Sequence, residues 1–477
     1  MALDIDTEPV SEDPILGALF SQPEPSPSDV LKGAPPELSA VATPVAGRSA
    51  LQDVSLKRPL SLLQVLGPGL ITGASDDDPS GIGTYAQVGS QFGYGLLWLA
   101  LFTFPLMAAV QEMCARIALH TGVGLGLSLR RKFPTWLIGV CILALFLANT
   151  INVGADLGAV ASGVSLLTHG TVQAIWMVIP VAVLILSLQV FATYALIFKI
   201  FKWLTLALFA YVATAFFAHP NVGQVLRATV VPHIELSNAF IAALVAVFGT
   251  TISPYLFFWQ ASSEVDEMKA AGLTTEAARR GVKVSELRAA RLDIFIGMLF
   301  SNVVMYFIIL TSSAVLHAHG KTTIQSADQA ASALAPLAGP YAFILFSLGM
   351  IGSGLLAIPI LSGSAAYAAK EFLRLPGTMA TKPRFRPTFY LIIALATLAG
   401  MGMNFVHIDP IKALFITAVI NGLVAPPLLV LIVLLAADRA VMKENVSGLL
   451  SKVLTWGAAG VMGIAAIALV VTTVHPI

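Results

Sequence analysis

The chain has 477 residues, of which 57% are hydrophobic and 11% charged, with a formal net charge of +1. Soluble domains carry about 25% charged residues, so most of this chain belongs in lipid, and a charge balance this even points to neither nucleic acid nor an acidic partner. The two cysteines, Cys114 and Cys141, fall in apolar segments and imply no disulfide framework.

Residues 1–57 are rich in Pro and Ser, acidic, and lack the basic and apolar regions of a signal peptide. They read as a disordered cytoplasmic tail ahead of a membrane domain at 58–477. Stretches long enough to cross a bilayer, roughly 20 residues each, lie near 61–92, 95–119, 134–168, 172–191, 196–218, 237–262, 292–317, 340–368, 388–406, 410–436 and 449–474. The expectation is an all-α integral membrane protein with eleven transmembrane helices. Basic residues test that count. Lys57 and Arg58, Arg130 to Lys132, Lys199 and Lys202, Lys269 to Arg291, Lys370 to Arg386, and Arg439 with Lys443 all fall on one side of an eleven-span topology. The positive-inside rule makes that side cytoplasmic, with the C-terminus outside, in a multi-pass protein of a bacterial-type inner membrane.

The first span carries Asp76-Asp77-Asp78 at its centre, followed by Pro79-Ser80-Gly81, and no Lys or Arg lies between Leu60 and Gly93. A carboxylate at bilayer depth costs about 2.5–3.5 kcal/mol on insertion scales, so three together need a purpose. Helical neighbours point about 100° apart, so a regular helix would not turn all three into one cavity. Pro79 and Gly81 break the helix and free backbone carbonyls, which makes an oxygen-rich, negative site suited to a cation. The sixth span carries a second break at Gly249-Thr250-Thr251-Ile252-Ser253-Pro254-Tyr255. The two breaks are five spans apart, and an odd-numbered repeat is inserted upside down. Paired interruptions in inverted halves mark a transport site at the midplane. The halves read as about 61–218 and 237–436, with 449–474 outside the repeat.

The run from Gly67-Pro68-Gly69-Leu70 to Asp78-Pro79-Ser80-Gly81 resembles the first span of the NRAMP family of divalent-metal transporters. That family has Asp-Pro-Gly-Asn at its first break and Met-Pro-His at its sixth-span break. The resemblance covers about residues 60–475 and implies a 5+5 inverted-repeat, amino-acid-transporter-like fold, with the metal held between spans one and six. It places the Asp-Pro pair on Asp78-Pro79 and the sixth-span proline on Pro254. The family's Asn ligand falls on Gly81, its Met on Ser253 and its His on Tyr255. In the third span Asp156 matches the first of two acids, and Ala159 replaces the second. This pattern is most similar to the NRAMP-related branch associated with magnesium and manganese.

Loss of a thioether removes the ligand that disfavours hard ions. Mg2+ keeps several waters and needs only one or two carboxylates, and Mn2+ accepts the same oxygens. The expected metal residues are Asp78, Asp77, Gly81, Thr250 and Ser253, with Asp156, Tyr255 and Asn421 along the path. Asp76 reads as a helix cap or a pairing group ahead of a further ligand. Asn149, Asn152, Gln111, Glu112, Asn302 and Thr417 read as helix–helix hydrogen-bonding groups. All eight histidines sit at span ends or in loops, so the usual proton route looks dismantled. Uptake of Mg2+ or Mn2+ without proton coupling is expected, ahead of a proton-coupled Mn2+/Fe2+ carrier and of an organic-solute carrier on the same fold. An enzyme is not expected: Ser353, in Gly352-Ser353-Gly354, has no histidine at depth to activate it. Nor is a cofactor, a nucleic acid or an obligate protein partner; the ion and the lipid bilayer suffice. The mixed-charge segment Glu264 to Arg291 reads as a solvated connector with helical potential.

Overall fold

The computed structural model describes residues 68–191, 206–379, 385–406 and 409–474. The expected tail and the start of the fifth span lie outside them. All regular structure among the described residues is helical.

The first span is two helices, α1 (Pro68–Asp76) and α2 (Pro79–Phe92). There follow α3 (Trp98–Thr121), the short α4 (Leu125–Lys132), α5 (Thr135–Leu167) and α6 (Ala174–Phe191). Of the fifth span the described part ends in α7 (Phe209–Phe217), and α8 (Val222–Val230) lies in the next connection. The sixth span is again two helices, α9 (Asn238–Thr251) and α10 (Pro254–Ala270). After them come α11 (Glu276–Arg279), α12 (Val284–Val315), α13 (Ala327–Ala331), α14 (Ala335–Ala338), α15 (Ala342–Leu373) and α16 (Pro387–Met403). The last are α17 (Pro410–Ala437), α18 (Arg439–Met442) and α19 (Leu449–Val474). Among the described residues eight helical stretches are long and apolar enough to cross a membrane, taking α9 and α10 as one. The first span falls short of that length because its break leaves pieces of 9 and 14 residues.

α5 packs along α15, α16 and α17, while α1 and α2 lie against α12, and α9 against α17. Small residues decide how close these helices come. A Cβ on Gly73 would stand 2.1 Å from the Gly297 carbonyl oxygen, and one on Gly297 would stand 2.1 Å from that of Gly69. Gly69 and Gly73 are four apart, the spacing that lets two membrane helices touch backbone to backbone. Gly249 meets α17 in the same way, with the Ala418 oxygen 2.0 Å from where its Cβ would be. Both broken helices are therefore seated on a neighbour through glycine, directly beside their breaks.

The basic connections gather on one face. Arg130 donates to the Phe372 carbonyl and Lys132 pairs with Asp438. Arg131 pairs with Glu276 at 2.7 Å. The connector after α10 is more than a solvated loop: Arg279 is buried, its Nε donating to the Gly122 carbonyl at 2.8 Å and its Nη1 to those of Leu273 and Thr274 at 2.9 and 2.7 Å. An arginine on the orphan carbonyls past the end of α3 satisfies acceptors that the helix leaves open and suits the negative end of its dipole.

Two expectations follow. Gly73→Ala should cost at least about 1–3 kcal/mol of stability through overpacking, read as a lower melting temperature in detergent. Gly402→Ala, whose Cβ would meet nothing within 4 Å, should be neutral in the same assay. The hydrogen bond from Arg131, and then that from Arg280, pulls the Glu276 carboxyl from 4.5 to about 2. A depressed carboxyl contributes stability above its unfolded pKa and loses it as pH falls through the folded one. Glu276→Gln should thus cost only a few tenths of a kcal/mol at neutral pH, because solvent screens the pair. The difference from wild type should vanish between pH 4.5 and 2.

Candidate metal site

Pro79 ends α1 and opens α2, since it has no N–H to donate and its ring fits the first helical turn. Asp78 becomes the N-cap of α2, with φ −69° and ψ 168°. Its Oδ1 accepts from the Gly81 N–H at 2.7 Å and from the Ser80 hydroxyl at 2.7 Å. Its Oδ2 accepts from Asn152 Nδ2 on α5 at 3.0 Å. A carboxylate here sits at the positive end of a helix and satisfies donors the helix leaves open.

The other two aspartates turn to a different neighbour. Ser301 of α12 donates to Asp76 Oδ2 at 2.5 Å and lies 3.3 Å from Asp77 Oδ1. The run is thus split between α5 and α12, with the turn made at the break, where Asp78 takes an extended backbone. Among the described residues no group of three His, Cys, Asp or Glu side chains converges as a metal site of protein ligands alone.

At the second break Pro254 opens α10 and Ser253 precedes it as N-cap residue. The Ser253 hydroxyl donates backwards, to the Gly249 and Thr250 carbonyls at 2.9 and 2.5 Å. Two carbonyls freed by the break are thereby satisfied, and the serine oxygen keeps its lone pairs. The two breaks touch. A Cβ on Gly81 would stand 3.2 Å from Thr250 Oγ1 and 3.3 Å from the Asp76 carbonyl oxygen. Tyr255 donates to the Ser75 carbonyl at 2.9 Å, and the hydroxyls of Tyr85 and Thr251 are hydrogen-bonded at 3.2 Å. Below them Thr72 donates to Gln260 at 2.6 Å, and Asp293 accepts the Gly69 N–H at 2.6 Å at the start of α1.

Around this contact lies a set of polar atoms without partners. Asp76 Oδ1, Asp77 Oδ2, Asn152 Oδ1, Thr250 Oγ1 and both side-chain polar atoms of Asn421 make no hydrogen bond within the protein. Asp156, whose carboxylate faces the Ser80 amide and Asp78, meets no hydrogen bond of ordinary geometry on either oxygen. All these residues are at most 1% exposed. Each buried, unsatisfied polar group costs about 1–3 kcal/mol, and charged ones more, so their concentration in one place marks a polar ligand.

The structure brings together Asp78, Gly81, Thr250 and Ser253, with Asp77 beside them on the α12 flank and Asp156 on the α5 flank. Asn421 lies in the α17 turn, Ala418 to Gly422, that packs on Gly249. Tyr255 joins the two breaks. Asn302, a residue the sequence makes conspicuous, serves helix packing, donating to the Ala100 carbonyl at 2.6 Å. Asn149 likewise donates to the Leu361 carbonyl at 3.1 Å. Ser301, its inconspicuous neighbour, holds the aspartates, and no sequence signal separates it from other membrane serines.

The model of the family described as natural resistance-associated macrophage protein-like matches residues 69–472. The chain belongs to the Nramp family. The divalent metal cation transporter MntH of Erwinia tasmaniensis is 26% identical over 338 residues, covering 69% of this chain and 78% of that protein. MntH of Pectobacterium carotovorum is 26% identical over 394 residues, covering 81% and 89%. The Eremococcus coleocola manganese transporter superposes with a TM-score of 0.65 at 16% identity, over 87% of this chain and 88% of that one. Mhp1, a nucleobase-cation-symport-1 family transporter, gives 0.52 at 15% identity, over 86% and 88%. The fold is the inverted-repeat, amino-acid-transporter-like one, with its first and sixth helices broken.

Within this Nramp chain the Ser301 pairing is testable. Ser301→Ala should destabilise the metal-free protein by about 0.5–1.5 kcal/mol, the net worth of a typical hydrogen bond. Ser301→Thr should keep most of it. An unchanged melting temperature in Ser301→Ala would refute the pairing.

Proposed function

We propose that this protein carries divalent metal cations into the cell, Mg2+ or Mn2+ or both, by alternating access and without proton coupling. The observation that carries the reading is the buried, unpartnered oxygen set at the contact of the two breaks: Asp76, Asp77, Asn152, Asp156 and Thr250. These are overwhelmingly acceptors, and a cation with its water is what acceptors bind. The names of the relatives, divalent metal cation transporters and a manganese transporter, support the same class of substrate.

The loose side-chain atoms of Asp76, Asp77, Asn152, Asp156 and Thr250 are all oxygens, which favours hard ions over soft ones. Asp78 spends both carboxylate oxygens on protein donors, at 2.7 and 3.0 Å, so its remaining lone pairs and the loose oxygens around it suit an ion that keeps part of its water. The cytoplasmic face is assigned to the basic connections, and net flux runs inward. A membrane potential of 100 mV gives two charges about 4.6 kcal/mol, at roughly 2.3 per charge. That is enough to concentrate a dication without protons.

The test is uptake into liposomes compared for Mg2+, Mn2+, Ca2+ and Cd2+. Mg2+ and Mn2+ should enter, and Asp78→Ala should slow them at least about a hundredfold, the scale of losing about 2.7 kcal/mol. A strong preference for Cd2+ would overturn the hard-ion reading. With a pH dye inside, metal entry at zero membrane potential should leave the lumen unacidified; acidification that tracks metal entry would restore the proton-coupled alternative.

A further inference from the structure

Where α17 turns into α19, on the face of the basic connections, the segment Ala437 to Lys452 lines an open cavity of about 430 Å3. Three cations line it, Arg439, Lys443 and Lys452, against one acid, Glu444. None of the three cations makes an ion pair among the described residues. Asp438, the nearest other acid in the chain, is already engaged, by Lys132 and by the Ala440 N–H at 2.8 Å. Ser447 forms part of the wall, only 2% exposed, and its hydroxyl has no hydrogen-bond partner. Lys443 holds φ +48° and ψ −120°, a backbone state disfavoured for a side-chain-bearing residue. Such strain persists where surrounding structure imposes it and gathers at ligand sites.

The place is as telling as the charge. Leu449, Leu450 and Val453, at the start of α19, are 79%, 72% and 57% exposed. Lipid-facing apolar residues directly beside a basic pocket set that pocket at the depth of the headgroups. We propose that this cavity binds an anionic phospholipid by its headgroup phosphate, with Arg439, Lys443 and Lys452 supplying the charge and Ser447 a buried hydroxyl donor. Basic pockets between membrane helices take acidic headgroups in this way, and phosphate oxygens accept charge-assisted hydrogen bonds from both cation types. Such a lipid would tie α17, which carries Asn421, to α19.

The experiment uses the full chain in neutral detergent, with bound lipid read by native mass spectrometry and melting temperature followed in parallel. Three probes are titrated: phosphatidylglycerol, phosphatidylcholine and inorganic phosphate. Phosphatidylglycerol should bind and raise the melting temperature, and phosphatidylcholine should not. The triple variant Arg439→Gln/Lys443→Gln/Lys452→Gln should weaken binding about a hundredfold, at about fivefold per cation. Ser447→Ala, which leaves every charge in place, should weaken it several-fold and decides the matter if the triple variant does not fold. Equal binding of the two lipids, or undiminished binding by the variants, would overturn the proposal. Stabilisation by inorganic phosphate without phosphatidylglycerol would overturn the lipid as the source. None of these readouts depends on transport, so the proposed function stands or falls separately.

Discussion

The carboxylate of Asp78 capping the first turn of α2 is the interaction on which the centre of this membrane domain depends. Pro79 breaks the helix, and a broken helix in lipid leaves backbone groups that must be satisfied within the protein. One Asp78 oxygen satisfies the Gly81 N–H, and the other reaches Asn152 on α5. The cap therefore orients α2 against α5 at the same point where it completes the break. The preceding two aspartates, held by Ser301, tie the end of α1 to α12. The acidic run is also a brace between two walls of the bundle.

The brace works because the helices approach closely. Glycine at 69, 73 and 297 brings α1 onto α12 with backbone in contact, which puts the short Ser301 side chain within reach of two carboxylates. Glycine at 249 does the same for α9 on α17. Gly81 plays a third part. It leaves the Thr250 hydroxyl and the Asp76 carbonyl facing one another across the space a side chain would fill. In place of a side-chain amide, the site has room.

Much of this was legible from the residues alone. Both breaks fall where Pro79 and Pro254 predict them, because a proline in mid-span admits few other outcomes. Splitting of the three aspartates follows from the break that Pro79 imposes, which takes Asp78 out of the helix, although which neighbour receives each does not. Partner choice depends on the register of packed helices, and a serine such as Ser301 carries no local mark of being the partner. Burial of Arg279 was hidden for a similar reason. Its segment is polar and charged like any surface loop, and the open carbonyls of Gly122 past α3 and of Leu273 and Thr274 past α10 give the side chain a reason to turn inward. Asn302 and Asn149, read from the sequence as helix–helix hydrogen-bonding groups, each donate to a backbone carbonyl of a neighbouring helix.

What remains unsatisfied at the contact of the two breaks has a direction to it. Asp76 Oδ1, Asp77 Oδ2, Asn152 Oδ1 and both oxygens of Asp156 are acceptors, and among the same loose atoms only Thr250 and Asn421 offer a hydrogen to donate. A solute bearing a carboxylate would bring more acceptors and more negative charge to a place already rich in both. An apolar solute would satisfy none of them. Water alone would satisfy the hydrogen bonds but leave neighbouring carboxylates repelling one another in a medium that screens poorly. A dication with part of its hydration shell answers both demands, since its charge offsets the aspartates and its waters donate outward to the loose oxygens. That requirement is set by the oxygens themselves, and it would hold for this arrangement on any fold that buried it.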